Sequence, residues 1–331
     1  MNKLRNTVVF IIVALAIGVA VAFFTTGNAL TEEITTIRFG HGSAESNERH
    51  IAVMHFKELV EGKSDGQIEV QVYPNEQLGS EAEMIESVTF NDLQMVAASA
   101  FSQYDQRISV FELPYLFDTY EEAWDVLDGE IGKEVAAPFL EDNLRIIAYF
   151  ENGFRHITAN KNIENPEDLR GLKIRTPEFP ISISTFSSLG ANPTPMAFGE
   201  LYMGLQQGTV DAQENPIANT YASKFNEVQD YLIMSSHQYM PLPVAISEEF
   251  WQSLTAKEQA IIEESALEAA QFHRNLLTEN EEKMIEELEE AGMTIVYPDT
   301  ELFKERIDRV YEAFKGRFGD EFVDQVIQAA E

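Results

Sequence analysis

Apolar positions along the chain alternate between strand-like runs and helical stripes. Residues 34–39 form a β-like run, and residues 47–61 carry Ile51, Met54, Phe56, Leu59 and Val60 at mostly helical spacing, which predicts a strand followed by a helix. Ile68, Val70 and Val72 alternate on one face before Pro74-Asn75 turns the chain, and a helix over 81–90 leads to the apolar run 95–98. This β-α-β-α rhythm predicts a mostly parallel sheet covered by helices.

The rhythm restarts further on. Thr119 with Glu122 makes a capping box, 145–150 reads as a buried strand, and 155–158 and 172–175 read as two more strands. Asn165-Pro166-Glu167 has the residue types of a helix start, Leu201 and Leu205 lie in a helix that Gly208 ends, and 231–234 is a further strand. A capping box at Thr255 and Glu258 then opens a pattern with no Gly or Pro until Gly292. Leu267, Ala270, Leu277 and Met284 are its apolar stripe, so it reads as one long helix lying across both α/β halves.

Composition narrows the function. The 331 residues hold 56 acidic against 23 basic side chains, a formal charge of -33, which repels phosphate backbones and excludes nucleic acid as a partner. Lys3 and Arg5, an uncharged apolar run over 8–24 and the small residues Gly27-Asn28-Ala29 have the order of an export signal, with cleavage expected near Ala29; an uncleaved anchor is the alternative. There is no Cys, so stability outside the cytoplasm must come from packing.

No nucleophile elbow, phosphate loop or zinc-protease helix motif occurs, and the six His show no metal-ligand spacing, so no cofactor or metal is expected. Gly40-His41-Gly42-Ser43 after the first strand has the composition of an anion cradle and equally of a plain turn. Arg155 and Arg175 sit in apolar, strand-like surroundings. Guanidinium pairs bidentately with carboxylates, yet in so acidic a chain each Arg alone also fits a structural ion pair.

Three longer segments decide between these readings: Gly-Leu-Lys-Ile-Arg-Thr-Pro at 171–177, Leu-Gly-Ala-Asn-Pro-Thr-Pro-Met-Ala-Phe-Gly-Glu-Leu-Tyr at 189–202, and Leu-Gln-Gln-Gly-Thr-Val-Asp-Ala-Gln-Glu-Asn-Pro at 205–216. With them the chain resembles the DctP-type solute-binding proteins of tripartite ATP-independent periplasmic (TRAP) transporters over nearly all of 34–331. Ala212 stands where that pattern usually has Gly.

The resemblance implies a two-domain periplasmic-binding-protein-like fold with a hinge cleft, domain I being 34–152 plus 241–280 and domain II 153–240 plus 281–331. It implies that Arg175 clamps a ligand carboxylate, assisted by Asn215 and Arg155, and that the loaded protein delivers its cargo to the small and large membrane permease subunits.

Glu81 is expected to accept hydroxyl hydrogen bonds from the opposite domain, with His41 and Asn47 as lesser candidates and Phe198 packing on the ligand. The charges that sialate-binding members carry are missing over 98–102. A uronate or aldonate is therefore the expected ligand, and a C4-dicarboxylate the alternative, disfavoured by Glu81. An exported lyase using Glu81 as base, and a membrane-anchored sensor, are the rival readings.

Overall fold

The computed structural model describes residues 34–330. The export signal or anchor expected over 1–29 lies outside the described residues. Nine strands make one mixed sheet: β1 (Thr35–His41), β2 (Ile68–Tyr73), β3 (Met95–Ala97), β4 (Leu144–Ala159), β5 (Lys173–Thr176), β6 (Asn192–Pro195), β7 (Ala212–Pro216), β8 (Tyr231–Ser247) and β9 (Thr294–Val296). Their order is β2-β1-β3-β8-β4-β7-β5-β6, with β9 alongside β8.

The pairing shows how two α/β halves are joined. Strand β1 runs parallel to β3, and β5 runs parallel to both β6 and β7, so each half has the parallel character expected of a βα rhythm. Between them lie β4 and β8, antiparallel over nearly their whole length. At 16 and 17 residues they are about three times an ordinary strand and belong to both halves.

Separate strands expected at 145–150 and 155–158 are thus one strand, and the strand expected at 231–234 continues to Ser247. The ladder slips between Glu151 and Gly153, opposite Pro241 and Met240. Gly153 has a φ of 107°, open to glycine and rarely to other residues. Pro241 and Pro243 cannot donate to a ladder, which makes the second part of β8 illegible by strand rules.

The helices that matter for the site are α1 (Glu48–Lys63), α2 (Glu81–Thr89), α3 (Tyr120–Asp128), α4 (Leu201–Gln206), α5 (Ile217–Ala222) and α6 (Ala256–Glu290). Capping boxes at Ser80 and Glu83, Thr119 and Glu122, and Thr255 and Glu258 start α2, α3 and α6 by satisfying orphan N–H groups.

In α1 the buried face is Ala52, Val53, Phe56 and Val60, whereas Ile51 is exposed, so the expected stripe is rotated by part of a turn. Helix α6 gives Ile262, Ala266 and Ala269 to a core with Phe39, Phe56 and Val244 in the first half. It gives Leu277, Met284 and Leu288 to a core with Ile217 and Leu232 in the second. Leu267, expected in the stripe, is 54% exposed. The element order, the joined sheet and the shared helix make this a two-domain α/β fold with a domain-spanning helix.

Candidate ligand-binding site

A cavity of about 310 Å³ opens where the halves meet and is lined by Arg49, Glu76, Glu81, Arg155, Arg175 and Asn215, among others. Strand β5 presents Arg175 from the centre of its short run, where the residue pairs with Thr194 on β6 and Gln213 on β7. Its Nε and Nη2 both donate to the carbonyl of Met196, at 3.0 and 2.6 Å, which fixes the plane of the fork. The side chain is buried, and among the described residues it makes no ion pair. Burial is the main reason its pKa falls to about 10, the charges of Glu214, Glu81 and Glu76 opposing that fall from a distance.

Arg155 behaves differently. Strand β4 carries it beside β7, where its Nε donates to the Glu214 carboxylate, Nη2 donates to the Glu214 carbonyl at 2.7 Å, and Nη1 faces the Met240 sulfur at 3.3 Å. His237 Nε2 approaches the same carboxylate oxygen at 3.3 Å. Burial opposes ionisation of Glu214, but the Arg155 charge and the His237 hydrogen bond outweigh it and hold the carboxyl below its ordinary range. Arg155 therefore reaches the cavity with its charge already countered.

Asn215, next along β7, donates to Gln213 and accepts from Asn219 Nδ2 at 3.2 Å. Asn219, on α5, also accepts from Asn47 Nδ2 at 3.1 Å and points to Asn152 Oδ1 at 3.4 Å. An amide chain thus links the second half to the first. Asn47 is the N-cap of α1 and stands one hydrogen bond behind the wall.

Glu81 begins α2 and lines the cavity, but both its oxygens are engaged: Oε1 accepts from Arg49 Nη1 at 2.7 Å and Oε2 from the Ser99 amide at 2.8 Å. His41 is fully buried behind the wall, accepting from the Ser43 amide through Nδ1 and meeting His50 at 3.1 Å through Nε2. Burial first, and then the charges of Arg49, His50 and His273, push its pKa down to about 2, so it stays neutral. Phe198 does line the cavity, edge-on to Phe225. The structure thus gathers Arg175, Arg155, Asn215, Glu81 and Phe198 around one cavity, Glu81 from the first half and Arg175, Asn215 and Phe198 from the second, and leaves His41 and Asn47 in support. No group of His, Asp or Glu among the described residues could hold a metal ion.

Sequence reasoning missed Arg49, Glu76, Asn152 and Asn219. Arg49 had a legible signal: it stands three, four and seven residues before Ala52, Val53 and Phe56 and so lies on the buried face of α1. An Arg there needs partners, which are Glu81 and, at 3.0 Å, Asn152 Oδ1.

Known proteins share this architecture. The chain is 32% identical to the 2,3-diketo-L-gulonate-binding periplasmic protein of Escherichia coli, over 99% of this chain and 97% of that one. The sugar acid binding protein of Advenella mimigardefordensis, solved in complex with galactonate, matches with a TM-score of 0.87 and 33% identity over 90% of this chain and 98% of that one. A TRAP periplasmic solute-binding protein of Shewanella oneidensis with bound succinate matches with a TM-score of 0.86 and 28% identity, over 90% and 99%. No described helix is long and apolar enough to cross a membrane. Residues 39–317 match the model of the bacterial extracellular solute-binding proteins, family 7 (DctP), and the chain belongs to that family of TRAP solute-binding proteins.

Proposed function

We propose that the chain captures a monocarboxylate sugar acid outside the cytoplasm, a uronate or aldonate, and hands it to the small and large permease subunits of a TRAP transporter. The observation that carries this reading is Arg175. A buried guanidinium oriented by a single carbonyl, with no carboxylate within ion-pair distance among the described residues, is costly until an anion arrives. A ligand carboxylate would meet its free edge, with Asn215 and Arg155 alongside. Ser43, Ser99, Gln103 and Asn152 on the same cavity offer partners to hydroxyl groups.

In this reading residues 34–152 plus 241–280 form domain I and 153–240 plus 281–331 form domain II. The ladder slip at Gly153 opposite Met240 supports that boundary. The protein acts as a carrier and transforms nothing: Glu81, the base a lyase would need, is already held by Arg49 and Ser99.

Titration calorimetry on refolded, ligand-free protein tests the proposal with galactonate, gulonate, erythronate and succinate. Binding of a sugar acid that Arg175→Ala abolishes is the expected result, and equal affinity in that variant would sink the clamp. The succinate-bound relative favours a second reading, a C4-dicarboxylate ligand; tighter binding of succinate than of every sugar acid would establish it.

A further inference from the structure

We infer that Glu76 is a specificity-determining residue of this cavity, favouring acids that carry one carboxylate and several hydroxyls over dicarboxylates. The inference rests on the carboxylate-binding role proposed for Arg175. Three acidic side chains line the cavity: Glu178 is exposed, Glu81 is neutralised by Arg49, and Glu76 alone is partly buried with no ion pair among the described residues. The selective charge expected of Glu81 therefore falls to Glu76.

Its placement is built into the backbone. Asn75 and Glu76, in the turn after β2, have φ of 56° and 54°, a left-handed pair without glycine that costs backbone energy at both positions. Two amide hydrogen bonds hold the turn against the loop after β1, from Asn75 to the Ser43 carbonyl at 3.0 Å and from Glu76 to the His41 carbonyl at 3.3 Å. From there the side chain passes Gly42 and reaches the amide of Gly199, in the 3-10 turn Phe198–Glu200 of the other half. A Cβ at Gly199 would lie only 2.4 Å from Glu76 Oε2, so the absence of a side chain there leaves the carboxyl its seat.

Burial, and then the charge of Glu81, raise the Glu76 pKa to about 7, while the Gly199 amide, Arg175 and Arg49 oppose the rise. This carboxyl is thus already short of compensating charge. A ligand hydroxyl can donate to it, whereas a second ligand carboxylate would add like charge in a half-enclosed space.

Calorimetric titration of galactonate and succinate into the parent protein, Glu76→Gln and Glu76→Gly tests this. The Gln variant removes the charge and keeps the shape; the Gly variant also relieves the left-handed backbone, so at least one of the two should fold. With titrations at about pH 8, roughly one unit above the Glu76 pKa of about 7, the expected result is a galactonate-to-succinate affinity ratio that falls about tenfold, chiefly through a gain for succinate. A parent that binds galactonate beside a folded variant with an unchanged ratio overturns the role of Glu76 alone. A parent that binds neither acid overturns the proposed function and this inference with it.

Discussion

Arg155 and Glu214 form a wholly buried ion pair on neighbouring strands, and Arg175, as deeply buried on the next strand of the same sheet, has no such partner. The two arginines therefore respond to truncation in opposite ways. Arg155→Ala strands the Glu214 carboxylate in the core, an uncompensated charge worth about 3–5 kcal/mol, and should lower the melting temperature by more than about 5 °C. Arg175→Ala removes a cation that burial already penalises, so the ligand-free protein should melt no lower than the parent, while stabilisation by a bound acid disappears. Thermal melts with and without galactonate distinguish the two; equal losses of ligand-free stability would refute the contrast.

Arg49 bridges Glu81 and Asn152 with separate nitrogens, a fork that Lys cannot reproduce. Arg49→Lys should therefore weaken sugar-acid binding about as much as Arg49→Ala, by roughly tenfold or more, since one good charged hydrogen bond is worth about 1.5–3 kcal/mol. A Lys variant with the parent's affinity would show that only the charge matters.

Gly153 lies where β4 slips against β8, and a Cβ there would stand 3.2 Å from the Tyr120 hydroxyl. With φ at 107°, Gly153→Ala should cost about 1–3 kcal/mol, read by urea denaturation. No loss of stability would mean that the slip relaxes to an ordinary ladder.

Stability should depend on pH through two opposed sets of buried groups. Burial lowers His41 to about 2 and His156 and His273 to about 3, so below about pH 6.5 the unfolded chain takes up protons that the native one refuses, and stability falls on acidification. Burial raises Glu112 to about 8, with Glu214 adding to the rise and Arg155 opposing it. It raises Glu151 to about 7, where hydrogen bonds from Trp124 and Tyr239 and the charge of Arg274 oppose the rise and Glu281 adds to it. The unfolded chain releases these protons first, above about pH 4.3, so stability falls as pH rises toward 8. The two slopes overlap between about pH 4.5 and 6.5 and largely offset each other there, giving a plateau with losses on both sides. A melting temperature at pH 8 equal to that at pH 5.5 would contradict it, and Glu112→Gln should flatten the alkaline side.

What the sequence made legible follows from range. Caps and periodicity act within one or two turns, and the boxes at Thr119 and Thr255 stand where expected. The long helix was legible because nothing breaks it for 35 residues. The full length of β8 was not, because Pro241 and Pro243 are tolerated only through pairing with a strand about 90 residues away in sequence. At the site, Arg175 and Asn215 stood in long family motifs and Arg155 at the start of a strand-like run, and all three reached the cavity. His41 did not, since only tertiary structure shows its ring turned toward His50. Glu81 reached the wall but is committed to Arg49, a partnership between residues 32 apart that no local pattern encodes.

The shared helix also sets an order on folding. The core around Phe39 and Phe56 is complete only when Leu242, Val244, Ile262 and Ala266 arrive, and the core around Ile157 and Ile174 waits for Phe303. A chain emerging from the ribosome therefore cannot close its first core until about four-fifths of it has been made. Such late closure keeps a growing chain open, and it means that neither half can be cut out as one continuous, self-sufficient fragment.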